Sequence, residues 1–520
     1  MKRKVIAIGL DAADPEIVDK WIAQGYLSNL AQLKSQGVSG KLTNIEYYRA
    51  EAPWTIFITG CLPEKTGYWG PQNFHPDNYQ VSETGAYDFQ EYPPFYALSS
   101  DHQITVFDMP QTRLFPEVQG LQVLGWGSHS QQGPSCSKPD NLLQNLIDKY
   151  GKHPAYGRDW ANCYDFETIN TLKTGLLTGI SQRKLICQEL LGKDWDLFLT
   201  IFSETHSGGH YFWHLSQPHP LSEMDYGSDP LLEIFQSADR AIGDILDQIS
   251  EETYVVVFSA HGMTSNFLDV PSMFFLAEFM YRWNFPKQSA LAKGNEGEWP
   301  SPPRFNYYGS DWNWDYWQQA IWNQRAPGTD LESPEQQIEK GEPTCWQPAN
   351  WYRPVWHKMK AFALPSYSDG YIRINLKGRD TLGRVIPSDY HEVCNEICAS
   401  LTRLIDVRTG KLMVKEVIRT RQDPTTENLK NPPADLIVKW QEDNPTDVVE
   451  SPDFGRIGPV PYLRTGSHRS KGFVTIKGPQ IEAGMSLYPG KAQDLPATLL
   501  EIMGIPIPDY FDGQSLIKIR

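Results

Sequence analysis

The sequence has no run of about 18 apolar residues, the least that would let a helix cross a bilayer, so neither a membrane span nor a membrane partner is expected. Cysteine is scarce and scattered: seven residues, at 61, 136, 163, 187, 345, 394 and 398. An odd set without regular spacing excludes a disulfide framework and fits the reduced thiols of a cytoplasmic protein. Cys394 and Cys398, four apart in a predicted helix, read as core packing. Basic charge is also short. Lys and Arg number 47 against 63 Asp and Glu, a net charge of -16. A nucleic-acid polymer needs a basic face, so it is excluded as the main partner and a small molecule is the expected one. Internal repeats and low-complexity linkers are absent. The basic start, Met1 to Lys4, precedes an apolar stretch of only six residues that ends at Asp11 without a small-residue cleavage site. It reads as a first strand and not as a signal peptide.

What is there is globular. Apolar residues make up 40% and charged residues 21% of 520, enough for one large domain with insertions or for two or three domains. Continuous β-branched runs at 4–10, 104–107, 195–202 and 253–259 predict buried parallel strands. Helical patterns fall between them at 15–36, 141–149 and 231–249. Strands alternating with helices predict an α/β fold with a mostly parallel sheet sandwiched by helices. Over 266–365 the composition shifts to Pro, Asn, Gln and Trp, and eight of the 17 tryptophans fall between Trp299 and Trp356. Trp314, Trp317 and Ile321 keep helical spacing. This stretch is read as an inserted Trp-rich cap between core segments 1–265 and 366–520, with the sheet pattern resuming at 371–376. A cap of this size needs its own core. Its Tyr307, Tyr308, Trp312 and Trp314 are also candidates for an aromatic floor that binds a base, sugar or lipid-like group.

In an open α/β sheet, ligands gather beyond the carboxyl ends of the strands. Asp11 ends the first strand, Glu204, His206 and His210 follow the run ending at Phe202, and His261 follows the run ending at Ser259. His468 lies in the loop Arg464-Thr-Gly-Ser-His-Arg before a strand at 473–477. His206 and His210, four apart, share a face if the segment is helical and can then bind one ion. The alternative for each histidine is a hydrogen-bonded core residue, and His214 reads that way, packing or orienting a ligand.

These residues sit in motifs that resemble the alkaline phosphatase superfamily, nearest its type I phosphodiesterase/nucleotide pyrophosphatase branch. Val5-Ile-Ala-Ile-Gly-Leu-Asp11 is similar to its opening strand, and Pro53-Trp-Thr-Ile-Phe-Ile-Thr-Gly60, with Pro63 and Gly67, to its nucleophile helix. The run from Glu204 to Trp213 resembles the second metal motif, and Ser259-Ala-His-Gly262 the Ser-Asp-His-Gly turn. Residues 369–379 and 434–438 fit its return strands. Gly466-Ser-His468-Arg-Ser-Lys-Gly472 resembles the last histidine motif, and Asp494-Leu-Pro-Ala-Thr-Leu-Leu500, with Gly504, Pro506 and Asp512-Gly513, the C-terminal tail. The motifs recur in family order along the whole chain outside the cap.

The resemblance implies an alkaline phosphatase-like fold and two divalent ions, commonly zinc. One ion would be held where this chain has His206, His210 and His468. The other would be held where it has Asp11, Ala50, Ala260 and His261. Nine residues back from Thr59, the family's spacing, puts Ala50 at the Thr/Ser/Cys nucleophile. Alanine has no oxygen to attack phosphorus, and Ala260 cannot ligate a metal. Of the pattern's carboxylates only Asp11 is kept, so one firmly bound ion is expected, with Asp11 and His261 lining the pocket, holding a second ion weakly or orienting water. Thr55 is the candidate displaced nucleophile, Glu51 and Glu204 are candidate general bases, and Arg469 or Lys471 would offset substrate charge. Three readings stand. The first is a metal-dependent phosphate ester or diester hydrolase in which the metal lowers the pKa of an attacking water. The second is a repurposed metalloenzyme with lyase or oxidative chemistry, since imidazole also suits iron and other transition metals. The third is a catalytically silent binding protein of the same fold.

Overall fold

The structure is a computed structural model that describes residues 2–519, apart from 128–132, 158–160, 292–330 and positions 333, 343, 345–346, 426–427 and 429. Tyr307, Tyr308, Trp312, Trp314 and the helix expected around Trp317 lie outside the described residues.

Among the described residues, nine strands form the main sheet, five of them adjacent and parallel. In spatial order these are Tyr254–Ser259, Val5–Leu10, Leu197–Phe202, Gln103–Phe107 and Gln119–Leu124. Val5 lies opposite Leu197 on one side and Tyr254 on the other. Antiparallel Lys471–Lys477 extends the sheet beside Tyr254–Ser259. Every residue of the three innermost strands is buried, which explains their unbroken apolar runs: both faces are covered. Ile6, Ile8, Phe198, Phe202 and Val257 turn to one core, with the helices Pro15–Ala23, Ser28–Gln36, Phe166–Leu191 and Pro230–Leu246. Val5, Ala7, Leu199, Val256 and Phe258 turn to the other, with Pro53–Thr59 and Asp494–Met503.

The helix expected over 15–36 is two helices. Asp14 caps Pro15–Ala23 by accepting from the backbone of Glu16 and Ile17. Gly25 follows its end at φ +79°, a left-handed conformation that stops the first helix. The 26-residue helix Phe166–Leu191 has no counterpart in the expectations, although Asp165 caps it and Leu172, Leu176 and Ile180 mark its buried stripe. A second, antiparallel sheet is built from Ala361–Leu364, Gly370–Ile374, Leu436–Trp440 and Val414–Arg419. Its Ile372 and Val438 share a core with Phe274, Trp351 and Trp356, so the described ends of 266–365 pack with strands outside that range. Among the described residues no helix is long and apolar enough to cross a membrane.

Beneath the carboxyl edge of the main sheet lies a buried charge network. Arg183 Nη2 donates to Asp108 at 2.7 Å, and Arg183 Nε donates to Glu204 at 3.0 Å. The rings of Phe107, Trp126 and Phe202 surround the guanidinium at 5.3–5.6 Å. Asp108 also accepts from the backbone of Trp126 and Gly127. Removing one partner from such a set strands the other charges out of water. Arg183→Met should therefore lower the free energy of unfolding by about 3–5 kcal/mol, measured by urea titration; a loss below about 1 kcal/mol would show that the network is not needed for stability.

Candidate metal centre

Three strand ends and one short ribbon deliver the site. Asp11 follows Val5–Leu10, its N–H donating to Phe202 O at 3.1 Å and its carbonyl accepting from Thr205 Oγ1 at 2.7 Å. Beyond Leu197–Phe202 the chain turns at once into the helix Glu204–Phe212, so His206 and His210 share a face. His261 follows Tyr254–Ser259, its carbonyl held by Ser259 Oγ at 2.7 Å. The antiparallel ribbon Gly262–Ser265/Gly466–Arg469 then pairs Met263 with His468. This ribbon packs on the helix backbone to backbone. A Cβ on Gly466 would lie 2.1 Å from the carbonyl oxygen of Gly209.

That close approach brings three buried imidazoles together. His206 Nε2 lies 3.1 Å from His210 Nε2 and 3.3 Å from His468 Nε2. One ligand atom from each lies within 4.8 Å of the others, a candidate metal cluster. A tetrahedral ion with Zn–N bonds of about 2.0–2.1 Å has nitrogens about 3.3 Å apart along each edge, so the spacing fits zinc. His210 Nδ1 donates to Gly466 O at 2.8 Å, which leaves the lone pair on Nε2, facing the cluster. One helical turn on, His214 Nδ1 meets Thr465 Oγ1 at 3.0 Å, and Thr465 N–H donates to His210 O at 2.8 Å. His214 thus braces the loop.

Asp11 and His261 lie beside the cluster. His261 Nε2 is 3.6 Å from Asp11 Oδ1, and its ring centroid is 5.0 Å from that of His468. At the position where the resemblance implies another carboxylate, Ala260 is buried in the apolar cluster of Trp54, Phe57 and Phe258.

The remaining candidates are placed differently. Glu204 and His206 are two apart on one helix and therefore project from nearly opposite faces. Glu204 accepts from Arg183 Nε at 3.0 Å and meets His153 Nε2 at 3.2 Å. Burial raises its pKa, but the Arg183 charge and the His153 hydrogen bond outweigh this and hold the carboxyl below its ordinary value. Its oxygens are committed to the interior, which takes it away from a general-base role. Glu51 is likewise committed. It accepts from Tyr367 N at 3.0 Å, Ser368 Oγ at 2.8 Å and Tyr371 OH at 3.1 Å, and burial leaves its pKa raised. With Arg49 bonded to Asp369 at 3.0 Å and Glu442 at 2.7 Å, Glu51 staples the turn carrying Ala50 to the second sheet. Thr55 is buried on Pro53–Thr59, and its hydroxyl has no hydrogen-bond partner among the described residues. A hydroxyl nucleophile needs an adjacent base or a metal to activate it, and no base lies within hydrogen-bonding distance. Arg469 pairs with Asp14 at 2.9 Å and Glu16 at 3.0 Å, and Lys471 pairs with Glu16 at 2.7 Å, so both are already neutralised. Among the described residues, the cation that does reach the histidines is Arg464, whose Nη1 is 3.1 Å from His210 Nε2. Residue type alone does not separate it from Arg469 in the same loop; its pairing with Asp269 across the fold does.

Residues 5–295 match the family described as Type I phosphodiesterase / nucleotide pyrophosphatase. The chain belongs to that family. Its mixed α/β fold is built on a large, mostly parallel sheet. Among solved structures it is similar to phosphonoacetate hydrolase from Sinorhizobium meliloti 1021, in complexes with phosphonoformate and with phosphonoacetate. The TM-scores are 0.47 and 0.48, with 14% identity over 95% of this chain and 94% of that one. None of the curated proteins matches the chain.

Two outcomes follow from this packing. Gly466→Ala forces the ribbon off the helix, so His468 moves away from His206 and His210. Zinc affinity, measured by competition with a chromogenic chelator, should fall at least about tenfold, the lower end of the loss on disturbing groups that orient metal ligands; unchanged affinity would refute the close-packing argument. The second concerns acid. Burial depresses His214 to about 4 and holds His219 well below its ordinary value. Both are neutral when folded, whereas the unfolded chain takes up protons near 6.5. Stability is therefore full above 6.5 and is lost as pH falls toward 4. His219 Nδ1 accepts from Leu221 N–H, a bond that an amide oxygen can replace. In chelator, His219→Asn should flatten this acid slope by up to about 1.4 kcal/mol per pH unit; identical slopes would contradict the assignment.

Proposed function

We propose that the protein hydrolyses phosphate esters or diesters of small molecules with one firmly bound divalent ion, most simply zinc, held by His206, His210 and His468. The observation that carries this is the meeting of three Nε2 atoms at zinc-ligand spacing, with 3.1 and 3.3 Å between neighbours. When bound, the ion supplies Lewis acidity and lowers the pKa of water. The chain's own residues account for the rest. Ala50 offers no oxygen, so no covalent phosphoryl intermediate forms there, and water attacks phosphorus as the ester P–O bond breaks. Asp11 faces His261 Nε2 at 3.6 Å and orients that imidazole beside the attack site, where it holds and directs the water. The family's second ion lacks a full ligand set: Asp11 and His261 remain, and Ala260 belongs to the apolar core. Close like charges in a partly desolvated crevice need carboxylates to offset them, and neutral imidazoles bring none. The Trp-rich segment 266–365, read as a cap, would supply the contacts that select the leaving group, with Tyr307, Tyr308, Trp312 and Trp314 as its candidates.

Elemental analysis after dialysis should find about one zinc per chain, and His210→Ala should lose most of it while circular dichroism stays unchanged. A ratio near two would overturn the one-ion reading. With a phosphodiester chirally labelled at phosphorus, direct attack by water should invert configuration; retention, or a phosphate adduct on Thr55 by mass spectrometry, would establish a displaced nucleophile instead.

A further inference from the structure

We infer that Arg464 binds the anionic oxygens of the substrate at this centre, a role that rests on the one-ion reading above. The backbone around Arg464 is fixed from two sides. Asn266 Nδ2 donates to Arg464 O at 2.7 Å, and Thr465 N–H donates to His210 O at 2.8 Å. The side chain is fixed as well. Its Nε pairs with Asp269, a carboxylate only 2% exposed that is itself held by Ser467 Oγ at 2.6 Å. A carboxylate on the Nε edge sets the plane of the guanidinium and aims an η nitrogen at the histidines, where Nη1 stands 3.1 Å from His210 Nε2.

That contact is incompatible with an ion at the same lone pair. A guanidinium is always charged and can only donate, and His210 Nδ1 already donates to Gly466 O. The Nε2 lone pair therefore serves either Arg464 or the metal. Once it serves the metal, the Nη1 hydrogen faces a cation and needs an acceptor between the two positive charges. A tetrahedral ion held by three imidazoles has one further position. An oxyanion placed there has one oxygen for that position and another for Nη1, and both positive charges are met by one group. A phosphoryl group has the required oxygens and charge. Arg464 is also partly open, at 18% side-chain exposure, whereas Arg183 is closed off at 0%. In a family member with one ion where the pattern has two, this guanidinium is a second positive charge beside the phosphoryl oxygens, and it requires no further metal ligands.

The test separates binding of the anion from binding of the metal. Inorganic phosphate is titrated by calorimetry into zinc-loaded wild type, Arg464→Met and Arg464→Lys, and zinc affinity is measured separately for each. Phosphate affinity should fall about tenfold to hundredfold in Arg464→Met, the usual worth of a hydrogen bond between charged groups. It should recover only in part in Arg464→Lys, since an ammonium cannot keep the Asp269 pair and reach forward at once. Zinc affinity should hold or rise in Arg464→Met, because the competitor for the His210 lone pair has gone. Phosphate binding equal to wild type in a variant carrying its zinc would overturn the inference. So would parallel loss of zinc and phosphate in both variants, the mark of a merely structural arginine. A wild type that takes up no zinc would overturn the one-ion reading and this inference with it.

Discussion

Three imidazole nitrogens meet within 3.3 Å of their neighbours only because the backbones that carry them touch. Gly466 lies against the carbonyl of Gly209, and no side chain fits between ribbon and helix. The same contact gives His210 Nδ1 its acceptor, Gly466 O, and so decides which nitrogen faces inward. Around it, Thr465, His214 and Asp269 join the last histidine motif to the helix and to the turn after Ser265. The rest of the centre depends on that one approach: ligand spacing, tautomer and the aim of Arg464.

Charge is what limits the ions the proposed centre could hold. Carboxylates that look available in the chain are spent elsewhere. Glu204 balances Arg183 inside the protein, and Glu51 ties the Ala50 turn to the second sheet. Asp14 and Glu16 neutralise Arg469 and Lys471. What remains next to the histidines is Asp11, facing His261. On the proposed one-ion reading, a site with so little negative charge would take one cation, completed by an anionic ligand rather than by a second ion.

Much of the fold was legible. The runs at 4–10, 195–202 and 253–259 are unbroken because their strands are covered on both faces, and the observed strands begin within two residues of those expected. The spacing of His206 and His210 predicts a shared helical face, and the helix Glu204–Phe212 provides it. Less legible was the helix Phe166–Leu191, whose stripe includes the charged Arg183; a buried cation interrupts the pattern that marks a core helix. The break at Gly25 within 15–36 was similarly masked, because both halves face one core.

By itself the sequence determined the order of the strands and helices along the chain and the donor types at each strand end, since these follow from residue identity and local periodicity. Only the tertiary structure decided which groups share the centre. Residue type makes Glu204 and His206 equal candidates, but two steps along a helix turn them to nearly opposite faces, one toward Arg183 and the other toward His468. Residue type likewise makes Arg464, Arg469 and Lys471 equivalent cations. Pairing across distant segments, with Asp269, Asp14 and Glu16, leaves Arg464 alone of the three against a histidine of the cluster. Such choices depend on through-space neighbours, and no local pattern in the chain encodes them.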